Sequence, residues 1–339
     1  MSTQMYGEAR AAAASCTVED GLTMYETMLT IRRFDEVAAQ LNLDGPIGGA
    51  VHPYIGEEAI ATGICSVLRP TDYVASYHRG HGHCIAKGAD PLAMMAELFG
   101  RSTGTCRGKA GSLHIADISI GMLGANGVIG DGVTMAVGAA QAARVLGRDA
   151  VAVPFFGDGG INRGPVLESF NWAKAFELPV LFVCEDNRYS ATTRTDEVTG
   201  GPGLAARAAG FGLHAITVDG NDVIAVREAA ATLVGKMREG GGPALIHALT
   251  YRITGHVARD QAGYRRPGEL ARYAALDPIT RCESWLLDHG VEQQRLDVVR
   301  SAVAHLIARA VTEAEAAPWP EPHEVFTDSQ DLGAPAWPS

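Results

Sequence analysis

Apolar side chains recur every three or four residues between positions 21 and 41, which is the period of one face of an α-helix. The pattern predicts an amphipathic helix whose apolar face consists of Leu22, Tyr25, Met28, Leu29, Phe34, Val37 and Leu41. Glycines and Pro46 interrupt this helix, and a helix is expected to resume near Glu57 or Glu58. From 69 to 130 the chain is rich in glycine and histidine and has little periodicity, so we expect a set of loops over a site.

Short, continuously apolar segments begin near position 149 and alternate with helical patterns. The segments "DAVAVPFF" (149–156) and "PVLFVC" (179–184) predict two buried strands, and residues 163–178 between them predict a helix. A second strand–helix–strand unit is predicted at 214–220, 222–238 and 243–251. Strands that are apolar throughout favour a mostly parallel sheet with helices on both faces. The predicted fold class is therefore α/β.

Two further helical patterns, at 277–290 and 293–316, follow the second unit. With 339 residues and 47% hydrophobic side chains, the chain is long enough for one large α/β domain or two ordinary ones. We expect that domain to span 21–315, with helical extensions at both ends. Residues 1–20 are expected to form a flexible terminus, and 316–339 a tail along the surface or against a partner.

The composition narrows the class of protein. A formal net charge of −11 argues against general nucleic-acid binding. The apolar runs are far shorter than the roughly 20 residues of a membrane span, so no membrane association is expected. Six cysteines without a C-x-x-C pair argue against a zinc ribbon or a disulfide framework, and the N-terminus has no secretory signal pattern. We therefore expect a soluble cytoplasmic protein.

Polar residues follow both strands of the first predicted unit. The motif "GDG" (157–159) comes after one strand, and "EDN" (185–187) comes after the other. Because ligands bind outside the carboxyl ends of parallel strands, Asp158 and Asn187 would meet there if the two strands are neighbours. Carboxylate and amide oxygens suit Mg²⁺ or Ca²⁺, and glycines let the backbone approach a phosphate. An ordinary strand-to-helix turn explains "GDG" alone equally well.

Longer stretches of the chain carry a family resemblance. The spacing of "GDG" and Asn187 resembles the binding motif for thiamine diphosphate and Mg²⁺. Four stretches resemble the alpha subunit of the heteromeric thiamine-diphosphate-dependent 2-oxo acid and acetoin dehydrogenases, namely "YHRGHGHCIAKGADPLAMMAELFGR", "RGKAGSLHIAD", "LGANGVIG" and "TYRITGHVARDQAGYR". The resemblance covers about 22–325 and implies a thiamine-diphosphate-binding fold. The "HRGHGH" and "GHVARDQAGYR" segments look closer to the acetoin branch than to the pyruvate enzymes.

The resemblance assigns cofactor roles to particular positions. It implies that Asp158, Asn187 and the backbone carbonyl of Tyr189 coordinate Mg²⁺. It also implies contacts to thiamine diphosphate, which are made by Arg79, Gly127, Ile129, Asp158, Gly159, Gly160, Asn187 and Tyr189. The guanidinium of Arg79 and the backbone N–H groups of Gly159 and Gly160 would hold the diphosphate. Gly127 and Ile129 of "NGVIG" would hold the aminopyrimidine ring. Core packing also explains the isoleucine of that segment.

Histidines are the catalytic candidates. By the resemblance, His52 and His256 flank the substrate end of the cofactor, and His78 lies near the diphosphate. Histidine titrates near neutral pH and can exchange protons with a substrate oxygen. The sequence triplet of His78, His81 and His83 also suggests a transition-metal site, but no acidic or cysteine ligand stands at a helpful spacing.

The segment around His256 is a polar loop that also contains Asp260, Tyr264 and Arg265. In the resembled family this loop is a lid that orders when the cofactor binds. Val257 stands where regulated pyruvate enzymes carry a phosphorylated serine, so that form of control is not expected.

Departures from the family pattern occur at four further positions, which are Glu57, Asp131, Arg163 and Asp186. They leave the implied cofactor and metal ligands in place. Substrate choice is the property that they leave open.

The resemblance implies half of an active site. Thiamine catalysis needs a carboxylate on the aminopyrimidine ring, and in this family a separate beta subunit supplies it as a glutamate. We therefore expect an α2β2 heterotetramer that cleaves the C–C bond next to the carbonyl of a pyruvate-like 2-oxo acid or of acetoin. The acyl group would pass to a lipoyl-bearing acyltransferase component, and the isolated chain would be inactive.

Other functions remain open from the sequence. The same half-site could serve ketol transfer, as in transketolases, or a non-oxidative decarboxylation. The chain could also be an assembly subunit without catalysis. A nicotinamide-dependent oxidoreductase lacks support, because no G-x-G-x-x-G motif follows an early strand.

Overall fold

The structure is a computed structural model that describes residues 16–327. In this range the helices are α1 (Val18–Asp44), α2 (Glu58–Cys65), α3 (Gly80–Lys87), α4 (Pro91–Leu98), α5 (Asp131–Val145), α6 (Gly164–Ala175), α7 (Thr195–Val198), α8 (Leu204–Gly210), α9 (Val223–Arg238), α10 (Glu269–Ala274), α11 (Pro278–Asp288) and α12 (Gln293–Ala316). The strands are β1 (Tyr73–Ala75), β2 (Met122–Gly124), β3 (Ala152–Gly157), β4 (Leu181–Asp186), β5 (Tyr189–Ser190), β6 (Thr193–Arg194), β7 (His214–Asp219) and β8 (Ala244–Leu249). None of these helices is long and apolar enough to cross a membrane.

Six strands form one parallel sheet in the order β2-β1-β3-β4-β8-β7, and β5 and β6 form a separate antiparallel hairpin. Along β4, side chains alternate between the two faces of the sheet. Leu181 and Val183 join a hydrophobic cluster with α1 to α4, α9 and α12. Phe182 and Cys184 join a second cluster with α5, α6 and α8. Helices therefore cover both faces, and the predicted α/β class is confirmed.

Both predicted strand–helix–strand units are confirmed. They consist of β3, α6 and β4 in the first half, and of β7, α9 and β8 in the second. Phe156 of β3 lies opposite Cys184 of β4, so the two strands are direct neighbours. The polar residues that follow them consequently meet at one edge of the sheet, as the site prediction required.

The expectation of loops throughout 69–130 was wrong in part, because β1, α3, α4 and β2 lie there. α3 shows no periodicity in the sequence because its residues Gly80 to Ile85 are all buried, which leaves it without a polar face. α4 does carry start signals, since Asp90 caps it and Pro91 occupies its first turn. α5, which no apolar pattern predicted, begins directly after this region.

The described chain begins with a capped helix. The side chain of Thr17 accepts a hydrogen bond from the backbone N–H of Asp20, and the Asp20 carboxylate accepts one from that of Thr17. α1 therefore starts at Val18, within the stretch predicted to be a flexible terminus. The remainder of that terminus, and residues 328–339 of the predicted tail, lie outside the described residues.

The described part of the predicted tail packs on the loop after α4. The ring of Trp319 lies 3.8 Å from the guanidinium carbon of Arg101. The carbonyl of Pro318 accepts a hydrogen bond from the backbone N–H of Ser102 at 3.0 Å. These contacts place the tail along the surface of the domain.

Candidate functional site

A cavity of about 310 Å³ opens where β1, β3, β4 and β8 end. Every site residue predicted from the sequence lines it, namely His52, His78, Arg79, Gly127, Ile129, Asp158, Gly159, Gly160, Asn187, Tyr189 and His256. The lining also includes Tyr77, Leu113, Gly130, Phe156, Gly157, Ser190, Ala191 and Arg252. Segments that are distant in the sequence are thus brought to one place by the ends of parallel strands.

Asp158 follows β3, and two donors hold its carboxylate. Oδ1 accepts a hydrogen bond from the N–H of Gly159 at 2.8 Å, and Oδ2 accepts one from the hydroxyl of Thr195. Burial raises the pKa of the Asp158 carboxyl, and the hydrogen bond from Thr195 opposes that rise. A cation bound here would replace the hydration that the carboxylate has lost.

Asn187 follows β4 and is oriented by a buried glutamate. Its Nδ2 donates to both carboxylate oxygens of Glu57 at 3.1 Å, and its Oδ1 accepts from the N–H of Tyr189 at 3.2 Å. A carboxylate accepts hydrogen bonds, so the amide nitrogen must face Glu57 and the amide oxygen must face away from it. Burial raises the pKa of Glu57, while the charge of Arg79 opposes that rise.

The β5–β6 hairpin shapes the edge of the cavity next to Asp158. Arg188 and Ala191 adopt left-handed φ values of 75° and 52°, which are uncommon for residues with a side chain. The hairpin brings Thr195 to the Asp158 carboxylate. It also presses Ser190 against the "GDG" turn, so that a Cβ at Gly159 would overlap the serine side chain. Glycine is therefore required at this position.

Two buried guanidinium groups place positive charge in the lining of the cavity. Arg79 is 1% exposed and donates to the carbonyl of Pro53 at 2.7 Å and to that of His256 at 3.1 Å. Its Nε has no hydrogen-bond partner and lies 3.8 Å from Oε1 of Glu57. Arg252, which is also 1% exposed, reaches the cavity from the segment after β8. An anion in the cavity would meet both positive charges.

His52, His78 and His256 form one cluster in the cavity wall. The centroid of the His52 ring lies 4.6 Å from that of His78 and 5.0 Å from that of His256. Burial is the main cause that lowers the pKa of His52 to about 3 and the pKa of His256 to about 4, and the charge of Arg79 contributes to both shifts. Burial also lowers the pKa of His78. All three imidazoles are therefore neutral at pH 7.

The sequence triplet of His78, His81 and His83 does not form a metal site, because only His78 lines the cavity. His81 bonds to the Asp35 carboxylate at 2.6 Å and to a serine hydroxyl at 2.9 Å. His83 bonds to Glu185 at 3.2 Å and to another serine at 2.8 Å. Both rings are buried with both nitrogens engaged, so they brace α3 against its neighbours.

One aspartate ties the loop after Arg252 over the cavity. Asp260 accepts hydrogen bonds from the backbone N–H groups of His256 and Ala262 at 2.6 and 2.8 Å. It also accepts one from the hydroxyl of Tyr264 at 2.8 Å, and Arg252 donates to that same hydroxyl at 2.8 Å. The segment expected to act as a lid is thus folded against the cavity, with Asp260 at its centre.

The four departures from the family pattern differ in position. Glu57 contacts the predicted ligand Asn187, whereas Asp186 bonds to Nε2 of His247 at 2.9 Å. Asp131 bonds within its own loop, and Arg163 is exposed. Among these four, Glu57 alone reaches a predicted metal ligand directly.

Sequence reasoning missed two polar contributors to the site. Arg252 lies in the stretch "TYRITGHVARDQAGYR", which carries the resemblance, but the sequence analysis gave it no role. Thr195 follows a two-residue strand and no motif marks it, so only the hairpin geometry reveals its contact with Asp158.

Comparison with known proteins places the chain among dehydrogenase subunits. The sequence model of a family described as "Dehydrogenase E1 component" matches residues 25–323. The alpha subunit of acetoin:2,6-dichlorophenolindophenol oxidoreductase from Cupriavidus necator is 46% identical over 322 residues, which is 94% of this chain and 96% of that protein. The corresponding subunit from Bacillus subtilis is 42% identical over 93% of this chain and 94% of its own length. The alpha subunit of the pyruvate dehydrogenase E1 component from Rhizobium meliloti is 38% identical over 93% and 91%.

Proposed function

The chain belongs to the dehydrogenase E1 component family, as the alpha subunit of a 2-oxo acid or acetoin dehydrogenase, and we propose that its cavity binds thiamine diphosphate with Mg²⁺. One observation carries this proposal. A pair of side chains that offer oxygen ligands, Asp158 and Asn187, lies in the same cavity as the guanidinium groups of Arg79 and Arg252. A metal-bound diphosphate needs this combination, since it presents a cation and excess negative charge together.

The ligand chemistry fits Mg²⁺. Asp158 offers a buried carboxylate, and Asn187 offers its amide oxygen because Glu57 engages its nitrogen. The backbone carbonyl of Tyr189 would be the third metal ligand that the protein supplies. These are hard oxygen ligands, which Mg²⁺ prefers, and diphosphate oxygens and water would fill its remaining positions.

The residues around Asp158 and Asn187 are suited to binding the diphosphate. Gly159 and Gly160 lie in the first turn of the 3-10 helix Asp158–Asn162, and their lack of side chains lets a diphosphate approach the backbone there. Arg79 adds a guanidinium whose Nε is buried without a hydrogen-bond partner. Gly127 and Ile129 lie in the same cavity wall and are the residues that would contact the aminopyrimidine ring.

The histidine cluster would handle protons at the substrate. When bound, thiamine diphosphate supplies the carbon nucleophile and the electron sink needed to cleave a C–C bond next to a carbonyl. His52 and His256 are neutral at pH 7, so each can donate a hydrogen bond to a substrate oxygen or accept its proton. His78 directly precedes Arg79 in the sequence, and its ring contacts the rings of both other histidines.

A second chain is needed to complete the site. Within the described range 16–327, Asp158 is the only carboxylate that lines the cavity, and it is assigned to the metal. The carboxylate that activates the aminopyrimidine ring must then come from elsewhere. We assign it to a glutamate of a beta subunit, in an α2β2 assembly, with a lipoyl-bearing acyltransferase as acceptor of the acyl group.

Acetoin is the substrate to test first. Two acetoin-oxidoreductase subunits are 46% and 42% identical to this chain, and the compared pyruvate dehydrogenase subunit is 38% identical. This difference favours acetoin over pyruvate. Pyruvate and branched 2-oxo acids are the next substrates to compare.

Calorimetric titration of thiamine diphosphate tests the proposal directly. The full chain co-expressed with its beta subunit should bind the cofactor only when Mg²⁺ is present, and the chain alone should bind it weakly or not at all. Absence of binding in both samples would overturn the proposal. Bound cofactor with transfer of a two-carbon ketol unit, and without reduction of a lipoyl acceptor, would instead identify a transketolase-like enzyme.

A further inference from the structure

Three histidines from separate segments converge in the cavity wall. His52 precedes α2, His78 follows β1, and His256 lies in the loop after β8. One ring nitrogen from each lies within 4.8 Å of the others. This cluster is distinct from the oxygen ligands of Asp158 and Asn187, because it offers imidazole nitrogens instead of oxygen atoms.

The three rings are in the chemical state that a transition metal needs. A neutral imidazole carries a free nitrogen lone pair, and all three are neutral at pH 7 because burial lowers their pKa values. Nδ1 of His52 is buried and has no hydrogen-bond partner. His81 shows the contrast, since an aspartate and a serine engage both of its ring nitrogens.

We propose that His52, His78 and His256 form a second metal site, which takes Zn²⁺ or a similar divalent transition metal through three imidazole nitrogens. Imidazole suits Zn²⁺, whereas Mg²⁺ prefers oxygen ligands, so the two sites select different cations. Three histidines with a water in the fourth position make a complete tetrahedral set.

The geometry requires a modest closure of the cluster. With Zn–N bonds of about 2.0–2.1 Å, tetrahedral coordination places ligand nitrogens roughly 3.4 Å apart. The present nitrogens lie within 4.8 Å of one another. Rotation of the His78 and His256 side chains, both of which are only half-buried, can supply the difference.

Charged groups around the histidine cluster affect its affinity for a metal ion. Arg79 donates to Nδ1 of His256 at 3.3 Å, and the positive charge of Arg252 also acts on that ring. Asp260 is the acidic group that acts on it. Coordination through Nε2 would require a proton on Nδ1 of His256, which would displace the weak contact from Arg79 but leave its bond to the His256 carbonyl at 3.1 Å.

Occupation of this site has a consequence that rests on the proposed function. The cluster contains the residues assigned to proton exchange with substrate, so bound Zn²⁺ would consume their lone pairs and inhibit turnover. Binding itself depends only on the cluster. A measurement of binding therefore tests the site whether or not the proposed reaction is correct.

Cobalt is the spectroscopic probe, because Co²⁺ bound tetrahedrally absorbs far more strongly in the visible than Co²⁺ bound octahedrally by oxygen. The full chain is titrated with Co²⁺ in the presence of excess Mg²⁺, and Zn²⁺ is then added. We expect one tetrahedral Co²⁺ per chain, displaced by one Zn²⁺, without the near-ultraviolet band of a cobalt–thiolate bond. A thiolate band, or an octahedral spectrum alone, would overturn the proposal.

Matched variants locate the bound metal. His52→Gln and His256→Gln should each weaken Co²⁺ and Zn²⁺ binding by at least about tenfold, since even the loss of an outer partner of a ligand costs that much. His114→Gln should bind as the wild type does, because His114 is exposed and does not line the cavity. Asp158→Ala should lose Mg²⁺-dependent cofactor binding but retain the tetrahedral cobalt spectrum. Unchanged affinity in both cluster variants would overturn the site.

Discussion

Nδ2 of Asn187 donates to the carboxylate of Glu57 and lies 3.1 Å from each of its two oxygens. This contact turns the amide oxygen of Asn187 away from Glu57 and makes it available to a metal. The same carboxylate lies 3.8 Å from the Nε of Arg79, so one buried residue orients a proposed metal ligand and a proposed phosphate ligand. The resembled family usually has glutamine at this position. Here the glutamate contacts Asn187 and lies near Arg79.

Glu57→Leu should weaken Mg²⁺-dependent cofactor binding by more than about tenfold, because the amide of Asn187 loses the acceptor that orients it. It should also lower the free energy of unfolding by roughly 2 kcal/mol, because the buried amide of Asn187 is left without its acceptor. Glu57→Gln keeps an acceptor and should lose only a fewfold in affinity. Calorimetry and urea unfolding measure the two effects, and equal behaviour of the two variants would contradict the orienting role.

Asp158→Asn should abolish Mg²⁺-dependent binding of thiamine diphosphate, because the anionic protein ligand of the metal is lost. The matched control is Asp186→Asn, which removes a carboxylate at the end of the next strand, β4, but outside the cavity lining. That carboxylate bonds to His247 at 2.9 Å. The control should retain binding within about threefold, and a loss of similar size in both variants would show that general charge, not ligation, is responsible.

Thr195→Val should reduce the affinity for Mg²⁺ with cofactor by about tenfold, which corresponds to about 1.4 kcal/mol for a hydrogen bond to a charged group. The hydroxyl of Thr195 holds Oδ2 of Asp158, and valine preserves its shape without the donor. Thr193→Val, two positions earlier and exposed, is the control. Calorimetric titration of both variants checks the result, and wild-type affinity in Thr195→Val would remove this residue from the site.

Stability of the cofactor-free chain should fall as the pH drops from about 6.5 towards 4. Unfolded histidine has a pKa of about 6.5, whereas burial holds the pKa of His52 at about 3 and of His256 at about 4. Between these values the unfolded chain binds more protons, so acidification favours unfolding. The contribution is fully present above about pH 7, and each histidine should account for about 1–2 kcal/mol of loss by about pH 5.

Urea unfolding at about pH 7.5 and about pH 5 measures this loss. The full chain is compared with His52→Gln, which cannot take up the proton and should lose less stability on acidification. His114→Gln should keep the wild-type profile, because His114 is exposed. Parallel profiles for wild type and His52→Gln would contradict the proposed pH dependence.

The sequence predicted the central architecture because β3, β4, β7 and β8 are short apolar runs with clear boundaries. It failed at α3, whose histidines are buried by partners far away in the chain, such as Asp35 and Glu185. No local pattern encodes such partners. Sequence reasoning also located each predicted ligand at the cavity, but the contacts that orient them come from Glu57 and Thr195, and those depend on tertiary structure.

The position of β8 in the sheet has a consequence for biosynthesis. β8 lies between β4 and β7, although the ribosome makes it after both. Until Ala244–Leu249 has emerged, the nascent chain carries β4 with one open, apolar edge and β7 with no neighbour in the sheet. Such an edge invites pairing with other chains, so newly made protein should depend on chaperones during this interval, and slower synthesis at low temperature should prolong it.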